Sequence, residues 1–530
     1  MRFLPLWIVL AATALAAWWA VATQGIVAHL VLAIFSIITA FGLFDLVQTR
    51  HTLWRNFPLI GRVRWLGEAL RPFLRSYIVE SETEGRPFDH ETRAMVYRRA
   101  KDVSSVEPFG TLLDIDKPPY EWINHSISVG NRDGDDPRVR VGAPGTARPY
   151  SASVFNISAM SYGSLGAKAI EALNRGAAKG GFYHDTGEGG VSRYHKAGGG
   201  DLVYELGSGY FGSRAGDGSF DPERFRDVAG DDQVKMIEIK LSQGAKPGKG
   251  GVLPGEKVTK EIAKARGIPV GQTCYSPASH SAFSTPLELM DFIAQLRDLS
   301  GGKPVGIKLC VGQPHEALAI VKASLQSGIR PDFVVVDGAE GGTGAAPAEF
   351  QDHVGMPLRN GLILMRNALV GAGIKEEVRL AASGKLLSSF QLAATLAIGA
   401  DWVNSARGFM FSLGCIQSLH CHENTCPTGI ATTDAGRQRG LVIPDKADRV
   451  AAFHRNTVKA LMDVVVAAGV DHPDQLEPHM VMHRVTEDTA MPLDQAFGLL
   501  APGALVDDAE ATHLAAYWKQ AQADSFQAAR

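Results

Sequence analysis

Three of the five cysteines in this 530-residue chain lie close together. Cys415, Cys421 and Cys426 stand in the segment GCIQSLHCHENTCPTG, with the spacing C-x5-C-x4-C. Thiolates grouped in this way bind metal ions or iron–sulfur clusters. The spacing differs from the common ferredoxin patterns, and a set of three thiols suits a three-iron cluster. Zinc is the competing interpretation, because His420 and His422 offer a fourth ligand.

Two lysines stand inside apolar, strand-like runs of the sequence. Lys240 lies in the run IEIKL and Lys308 in the run GIKLC. A charged side chain in such a run costs free energy unless it is paired or functional. A flavin ring, with negative charge near N1 and C2, is one possible partner, and a buried ion pair with Glu188 or Glu238 is the other. Glu188, flanked by glycines in TGEGG, fits a substrate-binding group, a partner of Lys240 or an ordinary surface carboxylate.

Glycine-rich turns follow several apolar runs in the second half of the chain. The first is DGAEGGTG (Asp337–Gly344), and the others are Ser383-Gly384-Lys385 and Ala406-Arg407-Gly408. Consecutive small residues allow backbone N–H groups to converge on an anion. Barrels often bind phosphate after their seventh and eighth strands. Together the turns predict a site for a phosphorylated cofactor, with plain tight turns as the alternative.

Strand-like runs alternate with helical stretches from residue 153 onward. The runs are 153–158, 181–186, 234–241, 269–275, 304–311, 332–337, 378–383 and 401–405. This alternation predicts an α/β fold, a (β/α)8 TIM barrel, although an open doubly wound sheet accepts the same order. Polar motifs follow strand after strand, which favours the barrel, because an open sheet concentrates them at one switch point. Residues 187–233 are expected to be an insertion, and Cys274 and Cys310 to be core residues.

The N-terminus carries two apolar segments, residues 4–23 and 25–43. Each has about the ~20 residues that cross a bilayer, so residues 1–47 are predicted to form a transmembrane hairpin; a cleaved signal sequence is the alternative. Basic residues flank both ends, which predicts a cytoplasmic globular part on a cytoplasmic or inner membrane. The remaining predicted divisions are a lead-in segment (48–150) packing on the barrel, the barrel with its thiol loop (151–434) and a helical extension (435–530). The net charge of −3 gives no indication of nucleic-acid binding.

Long motifs resemble those of one known family. They are SAMSYGSLG (Ser158–Gly166), DTGEGG (Asp185–Gly190), IKLSQGAKPGKGGVLPGEKV (Ile239–Val258), DGAEGGTGAAP (Asp337–Pro347) and GCIQSLHCHENTCPTGIAT (Gly414–Thr432). Residues from about 108 to 434 resemble the synthase domain of glutamate synthases, an FMN-binding barrel that carries a 3Fe-4S cluster. PFGT (Pro108–Thr111) and YEWINHSI (Tyr120–Ile127) resemble the single-barrel, large-subunit-like members.

The resemblance implies roles for particular residues. Those expected to hold FMN are Ser158, Ala159, Met160, Ser161, Gln243, Lys308, Gly341, Gly342, Thr343, Ser383, Gly384 and Lys385, with Ala406 and Arg407 added from the phosphate pattern. Those expected to face 2-oxoglutarate or its imine, and to be catalytic, are Glu188, Lys240 and Lys246. Cys415, Cys421 and Cys426 are implied to ligate the cluster.

The implied activity is that of an oxidoreductase acting on CH-NH2 donors, the reductive amination of 2-oxoglutarate to L-glutamate with hydride from FMN. Full-length members have an N-terminal cysteine nucleophile that releases ammonia, whereas the first cysteine here is Cys274, so the ammonia source is expected to lie elsewhere. After TGEGG this chain has Val191-Ser192-Arg193 where those members have an acidic residue. None of the predicted helices opens on a GxGxxG element, so the electron donor is expected not to be NAD(P)H bound to this chain.

Two other functions fit the same residues. One is a flavin-dependent dehydrogenase or synthase that acts on another amino acid or an N-alkyl-glutamate and passes electrons to quinone. The other is a non-catalytic flavin- or metal-bearing assembly protein at the membrane, attached to lipid through residues 1–47.

Overall fold

A computed structural model describes residues 2–104, 106–132, 134, 136–143 and 145–529. These residues form two compact units, Met1–His90 and Glu91–Arg530. We describe each unit by itself.

The first unit is helical. Its helices are α1 (Leu4–Thr23), α2 (Ile26–Val47), α3 (Thr52–Asn56), α4 (Gly61–Leu74) and a π-helical turn, Arg75–Val79. The first two are long and apolar enough to cross a membrane, a test that an N-terminal signal sequence also passes. The buried Asp45 connects the end of α2 to the following segment. Its carboxylate pairs with Arg62 at 2.6 Å and accepts a hydrogen bond from the backbone N–H of Leu59 at 3.0 Å.

The second unit is built around a parallel barrel. Its strands are β1 (Glu121–Ile123), β2 (Arg138–Val141), β3 (Tyr150–Ser153), β4 (Phe155–Ile157), β5 (His184–Asp185), β6 (Leu202–Leu206), β7 (Val234–Lys240), β8 (Val252–Leu253), β9 (Cys274–Tyr275), β10 (Val305–Leu309), β11 (Phe333–Asp337), β12 (Arg379–Ser383), β13 (Trp402–Ser405), β14 (Val481–Arg484) and β15 (Ala490–Pro492). The closed order is β10-β11-β12-β13-β4-β5-β6-β7. The predicted TIM barrel is therefore confirmed, and the open sheet is excluded.

Helices cover the outside of the barrel and continue beyond it. They are α5 (His90–Ala100), α6 (Ala167–Gly180), α7 (Arg193–Lys196), α8 (Pro222–Ala229), α9 (Lys260–Arg266), α10 (Pro286–Leu299), α11 (Pro314–Ser327), α12 (Ala348–His353), α13 (Leu358–Gly371), α14 (Ser389–Ile398), α15 (Arg407–Ser412), α16 (Ala435–Gln438), α17 (Ile443–Ala467), α18 (Leu493–Phe497), α19 (Ala504–Asp507) and α20 (Ala515–Gln520). Single 3-10 turns are Gly255–Lys257, Pro473–Gln475, Pro478–Met480 and Ala509–Ala511. The C-terminal part is helical as predicted, except that β14 and β15 form a small antiparallel sheet with β1.

One strand of the barrel differs from the prediction. The third barrel strand is Leu202–Leu206, inside the segment 187–233 that we expected to be an insertion. The prediction for 269–275 was wrong, because only Cys274–Tyr275 is a strand and it pairs with β8 outside the barrel. The run LVYEL is short, lies close to glycines on both sides and contains the charged Glu205, so it lacks the continuous apolar pattern of a buried strand. Cys274 and Cys310 are buried, as expected.

The amino-terminal end of the barrel is closed by the β2–β3 hairpin. Val141, Tyr150 and Ala152 of the hairpin join one buried cluster with residues from the barrel strands. Within that cluster the hydroxyl of Tyr183 accepts from Trp402 Nε1 at 2.8 Å and donates to Asn404 Oδ1 at 2.6 Å. This end is therefore filled with side chains, and a ligand can enter only at the opposite, carboxyl end.

We expect Tyr183→Phe to lower the free energy of unfolding by about 1–3 kcal/mol, because Trp402 N–H and Asn404 Oδ1 each lose a buried partner. The measurement is urea unfolding followed by fluorescence. Tyr517→Phe, at an exposed tyrosine of α20, is the control and should unfold like the wild type. An unchanged unfolding midpoint for Tyr183→Phe would contradict the role of this hydroxyl.

Candidate active site

The carboxyl ends of the barrel strands surround one polar cavity. Its volume is about 860 Å³ including the open mouth. Each barrel strand delivers a residue at, immediately before or just beyond its last position, so the cavity is assembled by the closure of the barrel. Its lining comprises Ser158, Ala159, Ser161, Ser164, Gly187, Glu188, Glu205, Lys240, Gln243, Ala245, Lys308, Asp337, Gly341, Gly342, Thr343, Ser383, Gly384, Lys385, Asn404, Ser405, Ala406 and Arg407.

An acidic cluster lies at the base of the cavity. Asp185, Glu205 and Glu238 come from the adjacent strands β5, β6 and β7, and a carboxylate oxygen of each lies within 4.8 Å of the other two. Lys308 of β10 reaches into this cluster: its Nζ contacts the carboxylate of Glu205, lies 3.0 Å from Glu238 Oε1 and 4.0 Å from Asp185 Oδ2. All four side chains are buried. The ammonium of Lys308 is therefore the cation that allows three carboxylates to share this space.

The acidic cluster holds more negative groups than positive ones. Burial raises the pKa of Glu238 well above its usual range, and the neighbouring Asp185 adds to the shift. Burial also raises the pKa of Asp185, against the opposing effect of Lys308. Burial and mutual repulsion therefore both favour protonation of these carboxyl groups, and the groups titrate as a set.

A second lysine pair forms the wall above this base. Lys240 Nζ donates to Glu188 Oε2 at 2.8 Å and to Gln243 Oε1 at 2.5 Å. Burial alone would raise the pKa of Glu188, but the ammonium of Lys240, supported by Arg266 and Lys246, lowers it to about 2. Glu188 is therefore a carboxylate at any physiological pH. The ion-pair interpretation of Lys240 is correct for Glu188, while Glu238 pairs with Lys308 instead.

Glycine is required where the Glu188 carboxylate passes the loop before β8. A Cβ atom on Gly251 would lie 1.8 Å from Glu188 Oε1. Any side chain at this position would displace the carboxylate from Lys240. The glycine of the GKGG sequence thus preserves the geometry of the Lys240–Glu188 pair.

The predicted phosphate turns meet on one side of the cavity. The turn Gly341–Thr343 packs against Arg407, whose Nη2 donates to Thr343 O at 3.1 Å and would lie 3.3 Å from a Cβ on Gly342. In the facing turn, Gly384 has φ +151° and Lys385 has φ +53°, backbone conformations that side chains rarely adopt. Close backbone approach together with two cationic side chains fits a phosphate group.

Most residues predicted from the sequence line this one cavity. Met160 and Lys246 do not: Met160 is buried, with its carbonyl 3.2 Å from His195 Nε2, and Lys246 Nζ donates to Ala345 O at 3.3 Å. Burial lowers the pKa of Lys246, although Glu188 opposes that shift. The sequence analysis missed Ser164, Gly187, Glu205, Ala245, Asp337, Asn404 and Ser405. All of these except Glu205 stand within a few positions of a predicted residue, whereas Glu205 was missed because strand β6 was missed.

The three clustered cysteines occupy the loop that follows α15. Burial raises the pKa of Cys415 to about 11. Burial would also raise the pKa of Cys426, but the hydroxyl of Thr428 and the N–H groups of Ala431, Thr428 and Ile430 lower it overall. These hydrogen bonds favour the thiolate form of Cys426.

The geometry of this loop bears on the kind of metal that it suits. Among the described residues, Asp185, Glu205 and Glu238 are the one set of three or more His, Cys, Asp or Glu ligand atoms that all lie within 4.8 Å. The described part of the thiol loop therefore contains no such compact set of ligand atoms. His420 is engaged by Glu423 at 2.6 Å.

Comparison with known proteins identifies the family. A family model described as "Conserved region in glutamate synthase" matches residues 146–471. Glutamate synthase large subunit-like protein YerD of Bacillus subtilis (strain 168) is 37% identical over 492 residues, covering 85% of this chain and 93% of that protein. The chain belongs to the glutamate synthase family. Membership of this family supports an oxidoreductase with a flavin cofactor.

Other members are similar over a smaller part. The archaeal-type glutamate synthase [NADPH] of Thermotoga sp. (strain RQ2) is 33% identical over 322 residues, 60% of each chain. A glutamate synthase large subunit-like protein of Rhizobium meliloti (strain 1021) is 30% identical over 431 residues, 76% of this chain and 93% of that protein. Among solved structures, a lactate oxidase of Pediococcus acidilactici matches with a TM-score of 0.41 at 13% identity, over 77% of this chain and 89% of that one.

We expect Lys308→Met to lower the free energy of unfolding by about 3–5 kcal/mol at neutral pH, because three buried carboxylates lose their cation. This loss of unfolding free energy should be smaller in mildly acidic buffer than at neutral pH. In the variant the folded-state pKa values of the carboxylates rise further above their unfolded values, so the folded state binds more protons and gains stability as pH falls.

The measurement is urea unfolding of both proteins at the two pH values. Lys249→Met, at an exposed lysine, should match the wild type at both. A loss that is the same at both pH values would contradict the assignment of Lys308 as the cation of the acidic cluster.

Proposed function

We propose that this protein is an FMN- and iron–sulfur-dependent enzyme that reductively aminates 2-oxoglutarate to L-glutamate. The observation that carries the proposal is the Lys240–Glu188–Gln243 group, hydrogen-bonded at 2.8 and 2.5 Å in the same cavity that receives the phosphate turns. The group can hold a small anionic substrate at one end of the cavity while the turns hold a phosphorylated cofactor at the other.

The lining residues fit FMN in their chemistry. The backbone turns at Gly341–Thr343 and Ser383–Lys385, with Arg407, offer N–H groups and positive charge to its phosphate. Lys308 and Gln243 offer a cation and an amide to the polar edge of its ring. When bound, FMN supplies the hydride that reduces an imine carbon.

The chain's own residues bind the substrate and carry its protons. Lys240 Nζ, which pairs with Glu188, attracts the substrate carboxylate and donates the proton that the imine nitrogen needs during reduction. Glu188 remains ionised and stabilises the ammonium of the amino acid product. Lys246, buried behind the wall, adds positive charge near the substrate acids.

The thiol loop is proposed to hold a 3Fe-4S cluster. Cys415, Cys421 and Cys426 supply its ligands, and a set of three thiolates suits a three-iron cluster. A cluster supplies a one-electron carrier beside the cavity. The electron donor and the ammonia source are separate partners of this chain.

The first unit is proposed to anchor the enzyme in a membrane, with the barrel on the cytoplasmic side. The lengths of α1 and α2, 20 and 22 residues, support this proposal. So do the arginines that follow α2. The divisions after residues 47, 150 and 434 are proposed to separate the anchor, the lead-in segment, the barrel with its thiol loop and the helical extension. The apolar hairpin also favours one second candidate, a flavin dehydrogenase for another amino acid that delivers its electrons to membrane quinone.

Turnover tests the proposed reaction. Anaerobically purified protein should contain FMN and about three irons per chain, and should form glutamate from 2-oxoglutarate and ammonium with a chemical reductant.

We expect Glu188→Gln and Lys240→Met to lower kcat by at least about 100-fold, because substrate binding and proton delivery fail. Lys249→Met should keep the wild-type rate. Wild-type rates in both site variants would contradict these roles, and quinone reduction without 2-oxoglutarate would favour the second candidate.

Fractionation tests the anchor. The expressed protein should remain in the membrane after carbonate washing, and its mature N-terminus should still include α1, because the two apolar helices insert as a pair. Mass spectrometry of the purified chain gives the N-terminus. A mature chain that begins after residue 23 would show a cleaved signal sequence instead.

A further inference from the structure

Lys257 is a buried lysine at the junction of the cavity wall and the thiol loop. It ends the 3-10 turn Gly255–Lys257 and is 2% exposed. Its Nζ donates to three backbone carbonyls: Ser164 O at 3.2 Å, Cys421 O at 2.6 Å and Ala431 O at 3.1 Å. Ser164 lines the cavity, while Cys421 belongs to the thiol loop.

The hydrogen bonds indicate that this amine is charged. Three carbonyl oxygens accept from one nitrogen, which requires three N–H donors, and only the ammonium form has three. Within the part of the chain that the structure describes, no carboxylate forms an ion pair with Lys257. A buried charge is costly unless an opposite charge lies near.

The opposite charge for the Lys257 ammonium is that of the thiolates in the thiol loop. The ammonium of Lys257 is hydrogen-bonded to the carbonyl oxygen of Cys421, one of the three thiol-bearing residues, at 2.6 Å. A cluster bound by three thiolates carries negative charge, and this charge grows when the cluster takes up an electron. Lys257 therefore has its counter-charge when the thiol loop is loaded.

We propose that Lys257 is the charge-compensating residue of the thiol loop and raises the reduction potential of the cluster bound there. This inference rests on the proposed cluster. A fixed positive charge stabilises the reduced, more negative state, so electron uptake becomes easier. One electron is added and no bond is formed or broken. Because the same ammonium binds Ser164 O, it also fixes the thiol loop against the wall of the cavity.

The test is the midpoint potential of the cluster, measured by anaerobic redox titration with EPR detection. Lys257→Met removes the charge with little change in length, and the potential should shift to lower values. Lys257→Arg retains the charge and should stay close to the wild type. Lys260→Met, at an exposed lysine three positions away, is the matched control and should leave the potential unchanged, because solvent screens its charge.

The outcomes separate this inference from the proposed function. Wild-type protein without iron would overturn both. A Lys257→Met protein with an intact cluster and the wild-type potential would overturn only the role of Lys257. If Lys257→Met and Lys257→Gln both lose the cluster while Lys257→Arg keeps it, the positive charge is needed to hold the cluster, which supports the proposal.

Discussion

The ammonium of Lys308 among three buried carboxylates is the interaction on which the site depends. Asp185, Glu205 and Glu238 come from three neighbouring strands, and in a barrel their side chains are forced into the same interior space. Without a cation they would repel each other or take up protons. With Lys308 in place, the three carboxylates share one cation at the base of the cavity, and Lys240 and Glu188 pair in the wall above it.

Charge placement also distinguishes the two sides of the cavity. The acidic cluster lies at the base, whereas Lys385 and Arg407 stand at the glycine turns. An anionic cofactor is therefore attracted to the turns and excluded from the acidic cluster. The wall between them carries Lys240 and Glu188, whose opposite charges cancel. A positively or negatively charged group of a substrate can therefore replace one partner of this pair. This polarity supports the proposed separation of a cofactor end from a substrate end.

The chemistry of the site was largely predictable from local sequence, since its residues occur in long motifs that follow strands. The exceptions have particular causes. Glu205 was missed because its strand is short and interrupted by charge, and 269–275 was taken for a strand because it follows a helix and contains apolar residues. Met160 and Lys246 were placed in the site by their motifs, yet they lie behind its wall. Adjacent residues on a turn point in different directions, and a motif does not reveal which of them faces the cavity.

The sequence by itself determined the α/β alternation, the apolar N-terminal helices, the glycine turns and the three clustered thiols, because each depends on residues that are near neighbours in the chain. The tertiary structure alone decided which strands close the barrel, which carboxylates share Lys308, and that Lys257 joins the thiol loop to the cavity wall. The contacts of Lys308 and Lys257 link residues about 70 to 170 positions apart, and the pairing of β4 with β13 joins residues 248 positions apart. Local pattern carries no information on such pairs, because they are set by the register of barrel closure and by the need to neutralise buried charge.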